Sequence, residues 1–216
     1  RDSVAARGLG DVYKRQPEIL ESFRRQYPGV DLAIKTGRSS EIFEMLLSEE
    51  IQVAVTRALV HPDLITTHLY DEQVVLVTHP EHHFARIGKA SIYDIASEPL
   101  ILYDKESTYF LLIDRVCREA GIVPKVQMDL DSIEATKRMI RRGLGISFLP
   151  LNSLHQELEM GSLAQVELQE GYSVTLPTAL MVRRAVSNSG VVTAFTNLLH
   201  ALYPDGNDQL INDISN

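Results

Sequence analysis

The stretch from Val30 to Arg57, VDLAIKTGRSSEIFEMLLSEEIQVAVTR, constrains the fold more than any other part of the chain. Val30, Leu32 and Ile34 form a short apolar run with β-branched residues, which predicts a strand. Gly37 and the Ser39-Ser40 pair interrupt it, and a hydroxyl there suits the cap of a following helix. Ile42, Met45 and Leu46 share one helical stripe, and Ile51, Val53 and Val55 alternate as a second strand. A helix between two short apolar strands predicts a parallel pair with a right-handed crossover. In open α/β sheets ligands bind beyond the carboxyl ends of the strands. Those ends carry Thr36, Gly37, Arg38, Ser39 and Ser40 after the first strand, and Thr56 and Arg57 after the second. Hydroxyls, an arginine and a helix N-terminus thus share one rim, a cradle suited to a small anion. The same residues also read as helix capping plus a surface arginine, and this stretch alone leaves both readings open.

Upstream, residues 1–16, RDSVAARGLGDVYKRQ, show no clear periodicity. We read them as a fragment boundary or foreign sequence. Pro17 then suits the first turn of a helix, with Ile19, Leu20, Phe23 and Tyr27 on one face and Pro28-Gly29 as its stop. Downstream, Leu64–Thr78 predicts two strand pieces joined at Tyr70-Asp71-Glu72. Ser91–Ala96 predicts a short helix, Leu100–Tyr103 a strand, Asp104–Thr108 a polar turn and Phe110–Ala120 a helix. Val126–Leu130 predicts a strand, followed by a helix from Ile133 to Arg142 capped by Asp131-Ser132. The strand from Gly145 stops at Pro150. Leu163–Leu168 and Val174–Val182 predict further strands, Ser187–Leu202 a final helix, and the polar run from Pro204 a frayed tail. Strands and helices alternate once before Thr78 and again between Leu100 and Pro150, which predicts two α/β lobes rather than one wide sheet.

Composition narrows the function classes. The chain has 216 residues, 44% hydrophobic and 23% charged, with a formal net charge of −8. Such a balance argues against nucleic-acid binding through its own surface. The single Cys117 excludes an internal disulfide and fits a reducing compartment. No run approaches a membrane span, and the start lacks an apolar signal core. We expect a cytoplasmic protein with no membrane partner. No GxSxG, P-loop, HExxH or Rossmann glycine fingerprint occurs, so we expect no enzyme.

The order of segments resembles the effector-binding domain of LysR-type transcriptional regulators. The carrying residues are PEILESFRRQYPGVDLAI (17–34), EIQVAVTR (50–57), LYDEQVVLVTHPEHHFA (69–85) and DSIEATKRMIRRGLGISFLP (131–150). The resemblance implies an α/β fold of two Rossmann-like lobes joined by two crossover strands, like the type 2 periplasmic binding proteins. Residues 17–72 with 183–203 would form lobe I and 73–182 lobe II, with 1–16 out of pattern and 204–216 a polar tail. It implies a small-molecule effector in a cleft between lobes, a change of lobe angle on binding, a homodimer or homotetramer, and DNA contact only through an N-terminal winged helix-turn-helix absent here. Phe43, Met45 and Leu47 are candidate pairing residues. A solute-binding protein serving a transporter is the alternative on the same fold.

The expected cleft rim collects Ser39, Ser40, Thr56, Arg57, Ser107, Thr108 and Ser147, and the ligand class that suits it is a small anionic metabolite. No catalytic residue and no cofactor are expected. His79, His82 and His83 match no standard structural zinc spacing and read as a solvated loop. Cys117, among Ile113, Val116 and Ala120, reads as a buried small hydrophobe. Arg138, Arg141 and Arg142 read as a solvated helix end complementing the helix dipole.

Overall fold

A computed structural model of the chain describes residues 11–30, 32–35, 37–103, 107–130, 132–169 and 171–203, with the side chains of 11–18 and 108 outside that description. Residues 1–10, Thr36, the turn residues Asp104, Lys105 and Glu106, the cap candidate Asp131 and the tail from Pro204 lie outside the described residues. In chain order the elements are α1 (Asp11–Gln26), α2 (Ser39–Leu47), β1 (Val53–Arg57), β2 (Leu64–Thr78), α3 (His83–Ile87), β3 (Lys89–Ala90), α4 (Ile92–Ile95), β4 (Leu100–Leu102), α5 (Thr108–Glu119), β5 (Val126–Asp129), α6 (Ile133–Arg141), β6 (Ser147–Pro150), α7 (His155–Glu159), β7 (Ala164–Leu168), β8 (Val174–Arg183) and α8 (Gly190–Leu202).

Two compact units divide the chain, residues 1–72 with 177–216 and residues 73–176. Both boundaries fall inside strands, β2 and β8. In the first unit, β1 pairs antiparallel with β8, in register from Val53↔Val182 to Arg57↔Thr178. Alternation along β1 gives it two apolar faces. Val53 and Val55 join Ile19 and Phe23 of α1 and Val192, Phe195 and Leu199 of α8. Ala54 turns the other way, to Ile42 and Leu46 of α2 with Ile51, Leu64 and Met181. The Phe23 and Phe195 rings meet edge to face at 5.1 Å. α2 closes with Glu50 N–H on the Met45 carbonyl at 2.9 Å and Glu49 N–H on that of Leu46 at 3.4 Å. This ending places Glu49 at φ 69°, a left-handed position that favours glycine, and the Glu49 carboxylate pairs with Arg183 of β8.

In the second unit the carboxyl half of β2 lies between β6 and β7, antiparallel to both. β7 pairs parallel with β3, and β4 parallel with β5. A parallel bridge Leu100↔Ile146, with Ile101 N–H on the Ile146 carbonyl at 2.9 Å, ties β4 to β6. Leu76, Ile92, Ile95, Leu100, Ile101 and Phe148 are fully buried. Lys137 of α6 is buried as well, held by Glu134 at 2.9 Å and by buried Glu157 of α7 at 3.2 Å.

Several expectations are corrected. The described residues of Val30–Ile34 form no strand: Val30 and Leu32 pack against the α1/α8 core, while Ile34 is exposed. Among the described residues the parallel pair is absent, and the partner of β1 there is antiparallel β8. A strand needs a ladder partner for its backbone groups, and apolar spacing does not supply one. α1 begins at Asp11, ahead of Pro17, so the end of the segment set aside joins the first helix. β2 runs unbroken through Tyr70-Asp71-Glu72, as one strand of 15 residues. α8 starts at Gly190, after a single 3₁₀ turn over Arg184–Val186.

The candidate hydroxyl site and the family of the chain

In the first unit, α2 and the end of β1 position the candidate rim. Thr56 shares the β1 face of Ala54, two residues earlier, which turns to the α2 core. Its side chain is buried, and its Oγ1 donates to Ser39 Oγ at 2.9 Å, joining the strand end to the first residue of the helix. Ser39 does not cap α2. The N-cap residue is Arg38, whose backbone N–H is accepted by the Glu41 carboxylate at 2.6 Å. Gly37 makes room for that carboxylate, since a Cβ there would stand 2.7 Å from Glu41 Oε2. Ser39 is the first helical residue rather than the N-cap, and its hydroxyl meets Thr56. As acceptor in that bond, Ser39 keeps its own proton for a further acceptor. Ser40 is exposed on the first turn, and Arg57 ends β1 half-buried. Thr36 lies outside the described residues.

In the second unit the candidates have different partners. Ser107 caps α5, its Oγ accepting Phe110 N–H at 3.1 Å. Thr108 is the first residue of α5 and its side chain lies outside the description. Ser147 is fully buried at the start of β6, and its Oγ donates to the Ile101 carbonyl of β4 at 2.6 Å. Beside the Ser107 turn, the buried rings of Tyr103 and Tyr109 stack at 5.1 Å. The sequence analysis does not single out this pair, because no one predicted element contains both residues, and periodicity relates residues only within an element.

Cys117 is fully buried on α5, and burial followed by the nearby Asp114 carboxylate pushes its thiol up to about 11. A thiol held protonated in this way is no nucleophile near neutral pH. Arg138 and Arg141 lie in the last turn of α6 and are exposed, with Arg142 at its C-cap. No helix among the described residues is long and apolar enough to cross a membrane.

Comparison with known proteins fits this architecture. Residues 12–203 match the family model described as the LysR substrate binding domain. The regulator GltR of Bacillus subtilis is 27% identical over 169 residues, covering 78% of this chain and 55% of GltR. The activator CmpR of Synechocystis is 27% identical over 186 residues, covering 86% of this chain and 61% of CmpR. The chain thus spans a little over half the length of these curated relatives. Among solved structures, the Synechocystis CcmR regulatory domain in complex with 2-PG superposes with a TM-score of 0.83 at 20% identity, covering 94% of this chain and 98% of that one. The BenM effector binding domain with benzoate gives 0.79 at 17% identity, covering 95% and 93%. At such identities the likeness establishes the fold, that of LysR regulatory domains, which is type 2 periplasmic-binding-protein-like. These matches do not support a solute-binding protein serving a transporter. The match over residues 12–203 is decisive for the family: the chain belongs to the LysR substrate-binding domains.

Proposed function

We propose that this domain senses a small anionic metabolite, and that Ser39, Ser40, Thr56 and Arg57 take part in holding it. The observation that carries the reading is the Thr56→Ser39 hydroxyl bond at the N-terminus of α2. The bond orients Ser39 as a donor, the helix end favours negative charge, and Arg57 adds a cation at the adjacent strand end. The solved BenM domain holds benzoate, itself an anion, which supports the ligand class. Ser107, Thr108 and Ser147 are carried as further candidate contacts, on the strength of the family resemblance.

The test is calorimetry of small carboxylates and phosphates against the chain and against Thr56→Val. An anion that binds the parent should bind the variant several-fold more weakly, the loss of about 1 kcal/mol expected for one buried hydrogen bond. Binding of only cations or large apolar compounds would refute the ligand class.

The same reading places the domain in a transcriptional regulator acting in the cytoplasm, with its DNA contacts in a helix-turn-helix part outside these residues. It assembles as a homodimer or homotetramer. Phe43, Met45 and Leu47 line α2 around the face that buries Ile42 and Leu46, and all three stay half-buried. An apolar helix surface left partly open suits a symmetric partner. Sedimentation that finds only monomer at micromolar concentration would count against pairing.

A further inference from the structure

Away from the hydroxyl candidates, the second unit carries a cluster that the effector reading does not use. His82, His83 and Glu98 are, among the described residues, the one group of metal-type side chains whose donor atoms all lie within 4.8 Å of one another. Glu98 faces both imidazoles: Oε2 stands 3.6 Å from His82 Nε2, and Oε1 stands 3.5 Å from His83 Nε2. The two rings stack with centroids 4.4 Å apart, which brings both Nε2 atoms to the same carboxylate. Donors in a tetrahedral zinc site stand roughly 3.3 Å apart, given metal–ligand bonds of about 2.0–2.1 Å. The two His–Glu separations are within a few tenths of that spacing.

The scaffold holds these groups from both sides. His82 is the N-cap of α3, its Nδ1 accepting Phe84 N–H at 3.2 Å, so its Nε2 points away from the backbone. Glu98 follows α4, with its N–H on the Ile95 carbonyl at 3.1 Å. Its side chain and that of His82 are about one-fifth exposed, and that of His83 is more than half exposed. An ion can therefore enter from solvent and keep water in a remaining position.

We propose that His82, His83 and Glu98 form a binding site for a divalent cation of the zinc class. Two imidazoles and one carboxylate suit Zn²⁺ and its neighbours in softness, whereas Mg²⁺ and Ca²⁺ take oxygen ligands throughout. Binding has a local consequence. With metal on His82 Nε2, the remaining ring proton sits on Nδ1, which then no longer accepts Phe84 N–H. Loading the site thus releases the cap of α3.

The experiment titrates Zn²⁺ into the untagged, chelator-treated 216-residue chain near neutral pH. One ion should bind per chain, and the Phe84 amide resonance should shift on addition. His83→Ala and Glu98→Gln should each weaken binding at least tenfold, since even outer-shell partners are worth about 10–100-fold in affinity. His79→Ala should bind as the parent does. Far-UV circular dichroism establishes that each variant is folded, and Glu98→Gln, nearly isosteric, decides the matter if the alanine variant is not. No binding at millimolar Zn²⁺, or parental affinity in folded Glu98→Gln, would overturn the site.

Discussion

The two units place the same residue types, a glycine and a serine beside a strand, under different constraints. In the first unit Gly37 and Ser39 face side chains, the Glu41 carboxylate and the Thr56 hydroxyl. In the second, Gly145 and Ser147 face backbone: a Cβ on Gly145 would stand 2.5 Å from the Pro99 carbonyl oxygen, and Ser147 donates to the Ile101 carbonyl. A side-chain partner can rotate away to meet a ligand. A backbone partner held in a sheet moves only with the sheet. The contrast separates a pliable hydroxyl pair in the first unit from a packed one in the second.

The sharpest way to break this contrast is Gly145→Ala. Its Cβ must displace the Pro99 backbone or the Ile101 side chain, so it should destabilise the protein by about 3 kcal/mol, at the upper end of overpacking costs. Chemical denaturation measures this, and a loss below about 1 kcal/mol would mean that the β4–β6 contact yields easily. Ser147→Ala comes next. It deprives the Ile101 carbonyl of a buried donor and should cost about 2 kcal/mol in the same measurement. If stability is unchanged while anion binding falls, Ser147 belongs with the pliable group instead.

Thr56→Val probes the other side. Stability should fall by about 1 kcal/mol or less, because valine suits the strand and only one hydrogen bond is lost. Affinity for an anionic effector should fall by a comparable amount, read by calorimetry. The smallest effect is expected from Gly37→Ala, within about 0.5 kcal/mol of the parent. The group its Cβ would meet is the far end of a flexible glutamate, which swings aside. A cost similar to that of Gly145→Ala would show the Glu41 cap to be rigid, and the contrast between the units would be lost.

Much of the secondary structure was legible because its signals are local. The apolar stripes of α2, α5 and α8 and the short runs of β1, β4 and β6 fell within a few residues of their observed limits. Of the short helices α4 was legible and α3 and α7 were not, since one turn gives a stripe too brief to separate helix from loop. At the candidate site, the expected rim placed Ser39 and Thr56 together through a parallel strand pair that the described residues do not form; the two hydroxyls meet instead where α2 packs on β1. The identity of the helix cap was not legible, because Arg38 and not a hydroxyl residue takes the N-cap position, with Glu41 accepting its N–H, and composition alone favours the serines. Glu98 was missed beside the histidines, as it is brought to them by packing rather than by spacing.

What the sequence by itself determined was the periodicity of its elements and the order of segments that marks the family, both properties of neighbouring residues and their succession. Only the tertiary structure decided which apolar run becomes a strand and which hydroxyl is committed. Val30–Ile34 has the residues of a strand, yet its described residues form none, with Val30 and Leu32 packed beside the core, while Leu64–Thr78 continues through a polar triplet as a single strand. Both outcomes have one physical cause. Backbone hydrogen bonds in a sheet, and side-chain hydrogen bonds across it, require a partner distant in the chain, and the position of that partner is set by the fold as a whole.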